Sequence, residues 1–159
     1  MMLYNALVGS YLRYGVIAWG SCSTYLIDSL QATHNKVLRS MLFLPPTTHL
    51  EKHHFTDLKV YNVMDMYNHE TLKLIHSVNY NYNPPAFSNF FKLTTHCYST
   101  RLQQNSKYSL SKPKTEFGKK SLKFSGVKLW LAIPSTLKQI PQQKVFNYEY
   151  KKSILTPPT

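Results

Sequence analysis

Three features of this 159-residue sequence predict a mainly α-helical fold. Apolar residues recur at helical spacing through its first half, glycine is scarce at 5, and prolines with polar runs punctuate the remainder. The expected architecture is a helical bundle over residues 1–78, a linker at 79–85, and a small α+β or irregular basic extension over 86–159. Hydrophobic residues make up 43% of the chain, so a domain of this length can bury roughly two-thirds of its unfolded surface.

The elements follow in chain order. Residues 3–18 are apolar around the circumference, with Leu7, Tyr11, Tyr14 and Ala18 at helical spacing, which predicts a helix buried on most sides. Gly15 and Gly20 are breakers. Ser23 or Thr24 caps a second helix that runs to about Phe43, with Leu26, Leu30, Val37 and Met41 on its stripe, and Pro45-Pro46 ends it. A short third helix is expected over residues 49–57. The fourth is the best marked: Asn62 caps it, Asp65 follows three residues later, and Val63, Tyr67, Leu74, Ile75 and Val78 line one face.

Beyond the Asn/Tyr/Pro linker, residues 98–108 and 122–124 read as locally extended among Lys-rich loops. Two short helical pieces are expected after Pro134 and Pro141, because proline near a helix start lacks only an N–H that would be unsatisfied anyway.

Charge is distributed unevenly. The chain carries 19 Lys and Arg against 7 Asp and Glu, for a net charge of +12. Residues 101–159 hold most of the excess, with Glu116 and Glu149 their only acids. A field this lopsided attracts polyanions, since each neutralised phosphate releases condensed counterions. A merely solvated face is the competing explanation.

Chemistry-bearing constellations are sparse. Asp57, Asp65 and Glu70 are the nearest approach to a carboxylate cluster, no Asp-Asp pair exists, and two-metal catalysis needs one. His49 and His53 have i, i+4 spacing, but two histidines without a third ligand rarely hold zinc. No metal, no cofactor and no catalytic residue is therefore expected. Cys22 and Cys97 form no disulfide pattern, which favours a reducing, intracellular compartment, cytoplasmic or nuclear. Residues 3–19 are too short to span a bilayer and include Arg13, which costs roughly 2.5–3.5 kcal/mol at a span's centre. No membrane partner is expected.

The remaining pattern is basic residues interleaved with aromatics. Arg101, Lys107, Lys112, Lys114, Lys119, Lys120, Lys123 and Lys128 are the candidate contacts to the RNA or DNA phosphate backbone. Tyr98, Tyr108 and Phe117 are candidate stacking rings, while Phe124 and Trp130 read as the small core of this half.

Several segments also follow a recognisable order. Leu3-Tyr4-Asn5-Ala6-Leu7 precedes Tyr14-Gly15-Val16-Ile17-Ala18-Trp19-Gly20, Leu30 and Lys36-Val37-Leu38-Arg39. Then come Leu58-Lys59-Val60, Met64-Asp65-Met66-Tyr67, Tyr98-Ser99-Thr100-Arg101, Ser125-Gly126-Val127-Lys128-Leu129-Trp130, Ile133-Pro134 and Phe146. Together, over about residues 3–155, they resemble the region after the palm in reverse transcriptases of jockey-like non-LTR retrotransposons. Leu131 stands where that pattern has Asn, and Ile133 where it has Leu. The resemblance implies a helical thumb, which grips template–primer duplex, followed by a C-terminal extension. It implies too that fingers, palm and the Ala-Asp-Asp strand are missing. The expected function is non-catalytic, sequence-independent nucleic-acid binding. The contrary expectation is a structural remnant that self-associates through its apolar N-terminal helix.

Overall fold

The computed structural model describes residues 1–87, 89–91 and 108–155. Its described residues are mainly helical and form no strand. Two compact units are distinguished: Met1–Tyr67 with Lys151–Thr159, and Asn68–Tyr150.

In the first unit a π-helical turn, Tyr4–Gly9, runs into α1, Ser10–Arg13. Gly15 then takes a left-handed φ of 63°, which ends that helix, and α2 spans Val16–Trp19. The Trp19 indole N–H donates to the Tyr14 carbonyl at 3.0 Å, closing the break. At Gly20 a β-carbon would collide with the Tyr67 ring, so only glycine fits there.

The expectation of a single buried helix over residues 3–18 is not met. Tyr4 and Val16 are buried, but Leu3, Leu7, Tyr11 and Tyr14 stand 68–85% exposed. An apolar circumference buries itself only where neighbours surround it, and here one side alone meets the core.

The long helix α3 spans Thr24–Met41, with Ser23 in the cap position although its hydroxyl makes no capping bond. Ile27, His34 and Leu38 form its buried stripe. Tyr4, Leu38, Leu50 and Val60 make the first core, with Val8, Val37, Met41 and Phe55 packed against it. Within it, Tyr4 Oη and His34 Nε2 share a 2.6 Å hydrogen bond. Burial holds His34 down at about 4, which keeps the ring neutral beside the phenol.

Helix α4, Lys52–Asp57, starts with a capping box: Glu51 accepts from the His54 N–H, and its own N–H donates to His54 Nδ1 at 3.1 Å. Helix α5, Val63–Asn79, starts as expected, with Asn62 Oδ1 accepting from the Asp65 N–H at 2.7 Å. Gln31 of α3 accepts from the Val63 N–H at 2.7 Å, satisfying another first-turn donor.

Helices α3, α4 and α5 end alike. Phe43, Lys59 and Asn81 adopt φ of 55°, 51° and 56° at the position where glycine is usual. The next residue's N–H reaches back to Arg39 O at 2.9 Å, Phe55 O at 2.9 Å and Ser77 O at 2.8 Å respectively, the Schellman arrangement. Phe43 is 95% exposed, so its ring contributes nothing that offsets the strain. Phe43→Gly is expected to stabilise the chain by about 0.5–1 kcal/mol, left-handed strain relieved less the entropy of glycine in the unfolded chain. An unchanged or lower urea midpoint in the variant would contradict this.

The second unit is built on α5 from Asn68 onward. After α6, Glu116–Lys120, come α7, Leu122–Ala132, then α8, Ser135–Lys138, and α9, Gln143–Leu155, of which the part to Tyr150 belongs to this unit. Its core joins Leu72, Ile75 and Val78 of α5 to Phe91, Tyr108, Val127, Trp130, Ile133 and Phe146. Gly126 lets α7 approach closely, since a β-carbon there would lie 3.0 Å from Ile75 Cδ1. His76 is buried, bonded through Nε2 to Ile140 O at 2.7 Å and stacked on Phe146 at 4.4 Å.

Residues 122–124, expected as extended, lie in α7. Ser121 takes the cap position, its carbonyl accepts from the Phe124 and Ser125 N–H groups, and Val127 and Trp130 share the buried face. Three residues are too few to display a period, and the face becomes visible only across the whole segment. The helices after Pro134 and Pro141 are present, but the second runs 13 residues. Residues 79–85, expected as a linker, fall within the second unit. Tyr80 Oη donates to Lys138 O at 2.8 Å and Tyr82 Oη to Pro141 O at 3.2 Å. The aromatic side chains that interrupt the Asn/Pro run dock it. The extended reading of 98–108 lies outside the described residues except at Tyr108.

Candidate nucleic-acid interface

The basic segment is held by short-range contacts. Thr115 Oγ1 accepts from the Gly118 N–H at 3.1 Å and caps α6. A β-carbon on Gly118 would lie 2.8 Å from Pro113 Cβ, so glycine permits the close fold of 113–118. Ser121 is extended, with φ of −60° and ψ of 142°, and separates α6 from α7. Two helices of five and eleven residues thus carry Lys119, Lys120, Lys123 and Lys128.

Lys112, Lys114, Lys119, Lys120, Lys123 and Lys128 are all exposed, whereas Arg101 and Lys107 lie outside the described residues. Lys119 pairs with Glu116, and its ammonium holds that carboxyl below the usual range. Among the described residues the other five form no ion pair with a carboxylate. Lys123 Nζ lies 5.0 Å from the centroid of the Phe90 ring, a cation–π contact. Lys123 and Lys128, five residues apart on one helix, point about 140° away from each other. Lys128 therefore leaves the face that Lys123 occupies.

The aromatics divide as burial dictates. Trp130 is core as expected, Phe124 is only half-buried and outside the core cluster, and Tyr108 proves to be core, where burial pushes its hydroxyl up to about 12. Phe117, at 87% exposed, is the ring among the described candidates that stands free beside the lysines. Tyr98 lies outside the described residues.

The carboxylates and histidines are dispersed. Asp57 and Asp65 line one cleft of about 640 Å³ with His53 and Lys52, where burial raises the Asp65 carboxyl. Glu70 lies instead between His69 and Lys73, at 3.7 Å and 3.2 Å, and their hydrogen bonds and charges hold it at about 2. His49 precedes α4, so its i, i+4 relation to His53 is not a helical one, and His54 is occupied in the capping box. Among the described residues no three His, Cys, Asp or Glu side chains converge to hold a metal ion. No helix among them is long and apolar enough to cross a membrane. Cys22 is a free thiol.

A second basic concentration escapes the sequence. In the first unit Arg13, Lys59 and Lys151 line a cleft of about 540 Å³ with Tyr4, Asn5, Asp57, Leu58, Val60, Tyr61 and Met66. These residues are far apart in the chain, so no charge run announces them.

No protein-family model matches the chain, and neither a curated protein nor a solved structure is significantly similar to it.

Proposed function

We propose that the chain binds RNA and DNA through the phosphate backbone, without reading sequence, by way of the lysines around α6 and the start of α7. The observation that carries this reading is the exposure of six lysines over a short stretch in which a single acid, Glu116, offsets them. Unpaired surface ammoniums are what phosphate contacts require, and such contacts carry no base information. Phe117 adds an exposed ring on which an unpaired base can stack. The resemblance to the thumb and C-terminal extension of a jockey-like reverse transcriptase supports the same function, gripping a duplex or template–primer. Fluorescence anisotropy with unrelated labelled oligonucleotides tests it. Log affinity is expected to fall against log salt with a slope near −3 to −5, equal for all sequences. A slope near zero would remove the hypothesis.

In this reading the chain is a non-catalytic remnant. Asp57 and Asp65 line one cleft, but among the described residues no three His, Cys, Asp or Glu side chains converge to hold a metal ion, as two-metal chemistry needs. Primer extension with Mg²⁺ or Mn²⁺ is expected to give no incorporation above a buffer blank, and incorporation would refute this part.

One observation favours a second activity, self-association. Leu3, Leu7 and Tyr11, spaced at i, i+4 and i+8, stand exposed on the first helical segment, with Tyr14 exposed just past its end. Their spacing makes a continuous apolar stripe, and such stripes pair with their own copy. Sedimentation is expected to show a dimer whose dissociation constant rises at least tenfold in a Leu7→Glu, Tyr11→Glu variant. A monomer at every concentration would exclude it.

A further inference from the structure

We propose that the first unit holds a site for a small phosphorylated molecule, with Arg13, Lys59 and Lys151 meeting the phosphate and the wall of Leu58, Val60 and Met66 meeting its body. The site is separate from the lysines of α6 and α7 and does not rest on the nucleic-acid reading.

Three side chains of one charge line a single cleft, against one acid, Asp57. Like charges gathered in a partly enclosed space repel, and a cavity shaped this way carries an electrostatic cost until an anion fills it. The repulsion is visible at Lys151. Its ammonium is lowered from its ordinary value, first by burial and then by the charges of Arg13 and Lys59. Lys151 Nζ also sits 5.5 Å from the centroid of the Tyr61 ring, which fixes its place within the cleft. The field of Arg13 reaches inward as well, where it opposes the rise of the buried Tyr4 hydroxyl.

The side-chain excess over Asp57 is two positive charges, which matches a phosphate monoester carrying about −1.5 to −2 at neutral pH better than it matches a carboxylate. Arg13 offers the planar fork that binds two phosphate oxygens at once, and the lysines offer point charges. The volume, about 540 Å³, suits a ligand of roughly mononucleotide size. Leu58, Val60 and Met66 supply the apolar wall that such a body needs.

Isothermal titration calorimetry of the full chain decides the matter, with inorganic phosphate, adenosine monophosphate and adenosine as probes. Phosphate and the monophosphate are expected to bind, the monophosphate more tightly, and adenosine is expected not to. Arg13→Gln and Lys151→Gln should each weaken the monophosphate at least tenfold, whereas Lys151→Arg should hold affinity within about threefold. The Lys119→Ala, Lys120→Ala, Lys123→Ala variant should bind the monophosphate unchanged even where its hold on oligonucleotides is lost. Three results would overturn the proposal: no heat with phosphate or monophosphate at millimolar concentration, equal binding of adenosine, or loss of binding in the α6–α7 variant. Melting curves of the cleft variants accompany the titrations, and Lys151→Arg remains decisive if a glutamine variant unfolds.

Discussion

Replacing Lys119, Lys120 and Lys123 with Ala is expected to flatten the salt dependence of nucleic-acid binding by two to three of its roughly three to five units. Each lysine that reaches a phosphate contributes about one unit, because the counterions released are proportional to the charges neutralised. The three are not equivalent. Lys119 must leave Glu116 before it meets a phosphate, whereas Lys120 forms no ion pair with a carboxylate among the described residues. Lys123, lying over Phe90, gives up a cation–π contact of about 0.5–1 kcal/mol. Single variants should therefore rank Lys120 above the other two. The loss should be the same on unrelated sequences. A structural role predicts the opposite pattern, an unchanged slope with a lower melting temperature. Exposed side chains on short helices seldom contribute more than about 0.5 kcal/mol to folding, so the variant should melt close to the parent. An unchanged slope would end the assignment of this face.

Acidifying from pH 7 to pH 5 is expected to cost the fold about 2 kcal/mol through His34 alone. The ring is 2% exposed and burial holds it at about 4 against an ordinary 6.5. The sign follows from proton counting. Between pH 6.5 and pH 4 the unfolded chain takes up a proton that the folded chain refuses, so stability is complete above 6.5 and declines as pH falls through that window. His76 is lowered by burial too and adds in the same direction. Glu70 acts later: its carboxyl lies at about 2 against an ordinary 4.5, so its contribution is present above 4.5 and lost only in stronger acid. Urea denaturation at the two pH values measures the loss, and His34→Gln should remove about 2 kcal/mol of it while leaving the part due to His76. If that variant and the parent show the same dependence on pH, His34 is not the group responsible. A loss of about 2 kcal/mol is a large share of the roughly 5–15 kcal/mol typical of a domain.

What the sequence reveals and what it conceals differ by the range of the interactions involved. The start of α5 is legible because everything that defines it is local: the Asn62 cap, the acid three residues on, and a stripe whose Val63, Tyr67, Ile75 and Val78 are all buried. The helices after Pro134 and Pro141 are legible for the same reason. The first segment misleads because an all-round apolar pattern says how much surface seeks cover and not how much neighbouring chain exists to cover it. Leu7 and Tyr11 remain exposed on that account. Within the basic segment, composition identifies the lysines, but only the helical phase of α7 turns Lys128 away from Lys123. Tyr108 reads as a stacking ring until its packing with Phe91, at 5.6 Å between centroids, brings it into the core. The cleft is the extreme case. Arg13 and Lys59 come from the ends of α1 and α4 and Lys151 from within α9, and they converge by tertiary folding alone.

Lys59, one of the left-handed helix ends, also lines a cleft. Phe43 gains nothing visible from its posture and Asn81 is a residue type that tolerates it, but a lysine with positive φ gives up stability that glycine would restore. That posture aims the α4 terminus, and the charge on it, at the same space as Lys151. Optimising this protein for durability and optimising it for ligand would thus pull position 59 in opposite directions. Lys59→Gly should melt higher and hold anions less well, a trade-off located in a single backbone dihedral.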